Sequence, residues 1–116
     1  MSAVRETNDL LQGSLAILIL KALLTGPAHG FAIARWIEET TDDVLNIEEG
    51  SLYPALRRLE DRKWVESEWG LSENNRRARY YTLTTSGRAR LRSEAALWIR
   101  YSNAVTRVLR AKPAIV

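Results

Sequence analysis

The sequence predicts a mainly α fold with a small β-hairpin: three short helices, two strands and one long C-terminal helix. Three observations carry this reading. Apolar residues recur at helical spacing through three segments that end near Arg62. The pattern then changes at Trp64–Trp69 and Tyr80–Leu83, two runs of strand formers on either side of a polar, turn-prone stretch. From Thr84 or Thr85 onward, Leu91, Trp98 and Val105 repeat every seven residues, the signature of a helix that packs along another helix.

Taken in order, Asn8 or Asp9 is placed to cap a first helix that continues to about Leu24. Leu11, Leu15, Leu18 and Ala22 form one apolar face of it, and Leu10, Ile17, Leu20 and Leu24 form another. A helix apolar nearly all round needs cover on most sides, and a second subunit is the expected source. Thr25–Gly30 is a breaker cluster that holds the sole histidine, His29, read as a loop or cap residue. A second helix is expected from Phe31 to Thr40, and Val44–Ile47 alternates briefly as a stub of strand. The third helix is expected from Ser51, as N-cap, to about Arg62, with Pro54 in its first turn. Leu52, Ala55 or Leu56, and Leu59 point inward, while Tyr53, Arg57 and Arg58 point elsewhere. The last helix runs to about Arg110, with Tyr101 and Val108 flanking the Leu91–Trp98–Val105 row.

The chain has 116 residues, 46% of them hydrophobic and 27% charged, which fits one globular domain. Residues 1–84 form the body and residues 85–116 the terminal helix and tail. There is no cysteine, which excludes a disulfide framework and thiolate metal sites and fits a cytoplasmic location. The N-terminus lacks the order of a secretory leader, and the apolar run Leu15–Leu24 is too short to cross a bilayer. The formal net charge is +3, but it is divided unevenly: residues 1–49 carry eight acidic against three basic side chains, whereas residues 50–116 carry fourteen basic against six acidic. That asymmetry points one surface at a polyanion.

Three helices followed by a two-stranded wing is the layout of a winged helix-turn-helix, whose recognition helix enters the DNA major groove by its N-terminal residues. In this sequence that helix presents Ser51, Tyr53, Pro54, Arg57 and Arg58, and the wing presents Arg76, Arg77 and Arg79. Hydroxyls and guanidinium groups in two separate clusters suit phosphate contacts and base edges together. The alternative is a protein-interaction module on the same scaffold, favoured if Glu48, Glu49 and Glu73 interrupt the positive face. Catalysis finds no support, because there is no cysteine, one histidine and no Gly-rich phosphate loop or nucleophile elbow. No metal or cofactor is expected.

At these residues the chain resembles the PadR-type transcriptional regulators. The resemblance is carried by Leu10–Leu15, Gly26–Phe31, Gly50–Glu60, Asn74–Thr84 and Gly87, in order and at domain spacing. It implies a homodimer in which the C-terminal helix packs on the N-terminal helix of the partner, and repression of neighbouring genes. It also implies that Ser51, Tyr53 and Pro54 open the recognition helix and that Arg76–Arg77 belong to the wing. Lys63 stands where the family usually has glycine, and the short tail resembles the compact subgroup with a single C-terminal helix. The expected dimer residues are Leu11, Leu15, Leu18, Leu91, Trp98, Tyr101, Val105 and Val108. Release from DNA by a small aromatic effector near Trp98 and Tyr101 is a further expectation.

Overall fold

The structure, a computed structural model, describes residue 11 and residues 13–114. Among the described residues there are four helices, α1 (Leu15–Ala22), α2 (Gly30–Thr40), α3 (Glu49–Asp61) and α4 (Thr85–Arg110), and three strands, β1 (Ala28–His29), β2 (Val65–Leu71) and β3 (Arg77–Leu83). The strands form one antiparallel sheet in the order β1-β3-β2, so the expected fold class is the observed one. Among the described residues, no helix is long and apolar enough to cross a membrane.

Core packing follows the helical spacing. Ile19, Leu20 and Leu23 from the α1 segment meet Ile33 and Ile37 of α2 and Leu52 and Leu56 of α3, all almost fully buried. Val65, Tyr81 and Leu83 bring the sheet onto this cluster. Burying each such aliphatic side chain contributes roughly 1.5–3 kcal/mol, before the entropy of ordering it. Gly87 lets α4 enter the core, since a Cβ there would lie 2.0 Å from the Trp64 carbonyl oxygen. The Thr84 side chain caps α4 by accepting from the Gly87 N–H at 3.0 Å.

Several local expectations change. The α1 helix starts at Leu15, after a turn at Gly13–Ser14 in which the Ser14 N–H reaches the Leu11 carbonyl; the expected caps Asn8 and Asp9 lie outside the described residues. The Val44–Ile47 segment is not a strand. The Thr41 hydroxyl takes its Leu45 N–H and the Glu38 carboxylate takes its Ile47 N–H, so side chains rather than a neighbouring strand satisfy this backbone. The third strand is instead Ala28–His29, within the breaker cluster. Helix α3 is capped at Glu48, not Ser51, with no side-chain cap bond. Pro54 is therefore past the first turn, and its missing N–H leaves the Gly50 carbonyl without its usual helical donor.

The wing strands also extend further than their composition indicated. Ladder pairing runs from Val65 opposite Leu83 to Leu71 opposite Arg77, and only Ser72–Arg76 remain as the turn. Asn75 takes a left-handed conformation there (φ 59°). Lys63 has φ 62°, so lysine occupies a left-handed position that glycine would adopt without strain.

The predicted seam divides into two parts. Leu11, Leu15 and Leu91 are buried inside this chain's own core, and Leu18 packs partly against it. Beyond Ala95, α4 leaves the body: Leu97, Trp98, Ile99, Tyr101, Val105, Val108 and Leu109 are all exposed. The molecule is consequently elongated, at 62 × 33 × 21 Å.

Candidate nucleic-acid interface

Helix α3 is amphipathic. Its buried stripe of Leu52, Ala55, Leu56 and Leu59 fixes its roll, and this turns Tyr53, Pro54, Arg57 and Arg58 to solvent. Ser51 is half-buried in the first turn. No ion pair among the described residues engages Arg57 or Arg58; the pairs present are Arg35–Glu39, Arg79–Glu60 and Arg90–Glu94.

The two ends of this surface are acidic. Glu48 and Glu49 are exposed at the start of α3, and Glu73 is exposed in the wing turn. A carboxylate in the first turn favours the helix through its dipole, but it also opposes a phosphate at the same place. The N-terminus of α3 is thus the less suitable helix end for a phosphate. The N-terminus of α2 carries no acidic residue in its first turn. There His29 is a cap, as expected: its Nδ1 accepts the Ala32 N–H at 3.2 Å.

Tyr53 leans onto that second helix end. Its hydroxyl lies 2.8 Å from where a Cβ on Gly30 would stand. A cleft of about 1030 Å³ opens at this point, lined by Phe31, Arg35, Tyr53, Trp69, Arg76 and Arg77 among others. Tyr81 also borders it, and burial, partly opposed by the nearby Arg79 guanidinium, raises its hydroxyl above the ordinary tyrosine pKa. A helix N-terminus, a tyrosine hydroxyl and wing arginines therefore border one channel.

The three wing arginines differ. Arg76 and Arg77 are exposed. Arg79 is tied inward, with its Nε donating to the Ser67 hydroxyl at 2.8 Å and its terminal nitrogen 3.5 Å from the Glu60 carboxylate. Ser67 also donates to Glu60. Arg79, which also lines the cleft, in this way joins the wing to α3. Sequence reasoning did not single out Glu60, Ser67 or Trp69, although alternation along β2 and β3 puts Ser67, Trp69, Arg77 and Arg79 on one face.

Similar proteins agree with this architecture. The family described as "Transcriptional regulator PadR-like family" matches residues 19–93. A transcriptional regulator from Clostridium thermocellum has 28% identity and a TM-score of 0.76, over 85% of this chain and 96% of that one. A PadR family transcriptional regulator from Eggerthella lenta has 30% identity and a TM-score of 0.76, over 93% of this chain and 92% of that one. An uncharacterized 37.1 kDa protein of a Streptomyces fradiae transposon is 40% identical over 100 residues, 86% of this chain and 26% of the longer protein.

Proposed function

This chain belongs to the PadR-like family of DNA-binding transcriptional regulators, and from that membership we propose that it acts as a homodimeric repressor on a two-fold operator. In this reading α3 enters the major groove with Tyr53, Pro54, Arg57 and Arg58, and Ser51 supports its first turn. One DNA backbone follows the cleft between the α2 N-terminus and the wing, where Tyr53, Arg76 and Arg77 meet phosphate. The carrying observation is that Tyr53 of α3 and the exposed wing arginines Arg76 and Arg77 share a channel with a helix N-terminus free of acidic residues in its first turn.

The dimer rests on α4. A segment of about fifteen helical residues is marginal in water without tertiary support. Beyond Ala95 this helix exposes Leu97, Trp98, Tyr101, Val105 and Val108 on a stretch that leaves the body. A second copy covering that row, with Leu18 on the rim, removes the apolar surface and places two recognition helices on one duplex. Leu11, Leu15 and Leu91 support the interface from within the core. The Trp98 and Tyr101 rings, 6.4 Å apart, are where an aromatic effector would sit.

The test is equilibrium binding to a duplex from upstream of the chain's own coding sequence, at several salt concentrations. Two chains per duplex and an affinity loss on the order of 10³-fold or more between 50 and 200 mM salt are expected. Salt-independent binding, or one chain per duplex, contradicts the reading.

A further inference from the structure

The wing carries an exposed tryptophan that phosphate contact does not explain. Trp69 is 55% exposed, and Arg79 lies directly opposite it in the ladder. The Arg77 guanidinium carbon sits 4.4 Å from the Trp69 ring centroid and that of Arg79 sits 5.4 Å away. Arg79 continues to Ser67 and Glu60, so a connected series of contacts runs from α3 through Arg79 and Trp69 to Arg77.

We propose that Trp69 is a positioning residue for DNA recognition: its ring holds the Arg77 guanidinium in place, and Arg79, anchored to Glu60 and Ser67, fixes that ring relative to the recognition helix. The inference rests on the DNA-binding reading above and deepens it. An arginine on a four-bond stem loses rotamer freedom when it contacts a phosphate or a narrow minor groove. Stacking on an indole restricts that freedom in advance, while the N–H groups at the guanidinium edge stay available. Arg76, one residue away in the turn, has no aromatic platform among the described contacts and supplies charge alone.

The experiment is a double-mutant cycle on duplex affinity with the full chain, using Trp69→Ala, Arg77→Ala and the pair, with Trp69→Phe as the conservative variant. Trp69→Ala should weaken binding about fivefold at unchanged melting temperature. The double variant should be no weaker than Arg77→Ala alone, and Trp69→Phe should recover part of the loss. If Arg77→Ala weakens binding while Trp69→Ala does not, or if the two losses multiply, the positioning role is overturned and the wing reading survives. If Arg77→Ala itself changes nothing, the wing reading falls and this inference falls with it. A lowered melting temperature for Trp69→Ala, with Trp69→Phe binding as weakly as Trp69→Ala, also overturns it.

Discussion

The Tyr53 hydroxyl occupies the space that any side chain on Gly30 would need, 2.8 Å from the missing Cβ. Glycine at the start of α2 thereby allows an α3 residue to reach the neighbouring helix end. Because the obstructing atom is the far end of a rotatable side chain, Gly30→Ala should displace Tyr53 without unfolding the chain. Alanine is also the better helix former by up to about 1 kcal/mol. The expected outcome is an equal or higher melting temperature with weaker duplex binding; unchanged binding would show that the placement of Tyr53 does not matter.

Arg79 and the outer wing arginines should separate in a salt titration. Arg76→Ala and Arg77→Ala should each weaken binding to all duplexes alike and lower the slope of log affinity against log salt by about 1. Arg79→Ala should leave that slope unchanged and instead cost about 1 kcal/mol of stability, because its ion pair with Glu60 is only partly buried. A slope change for Arg79→Ala would return it to the phosphate contacts.

Gly87 offers the opposite case to Gly30. Here the obstructing atom is the Trp64 backbone carbonyl, at 2.0 Å, and it cannot swing aside. Gly87→Ala should destabilise the chain by about 3 kcal/mol, the upper end of ordinary overpacking. Chemical denaturation measures it, and a loss below about 1 kcal/mol would mean that the join between α4 and β2 yields more easily than its geometry implies.

Trp98→Glu places a charge in the exposed row of α4 and should give monomers in light scattering, along with weaker DNA binding and intact circular dichroism from the body. A persisting dimer would move the interface elsewhere.

Much of this was legible from residue spacing. The 3.6-residue rhythm gave three helices, strand formers gave the wing, and the seven-residue repeat gave α4. What escaped depends on tertiary partners. The β1 strand is two residues long and exists only because β3 passes beside Ala28 and His29. The start of α3 was displaced because Glu48 caps without a side-chain bond, while Ser51 has the stronger capping chemistry. Arg77 and Arg79 look alike along the strand, and only the proximity of Ser67 and Glu60 to Arg79 in space distinguishes them. Periodicity marked Leu11, Leu15 and Leu91 as apolar, but it does not specify whether a partner or the chain's own core covers them.

In the proposed function α3 reads DNA as one half of a symmetric pair. Sequencing the duplexes that the purified chain selects from a random pool tests it most directly, with Arg57→Ala/Arg58→Ala run in parallel. The expected outcome is a two-fold symmetric motif with half-sites about 10 base pairs apart or a multiple of that, depleted or degraded for the variant. A pool without enrichment, or the same motif selected equally well by the variant, would contradict it.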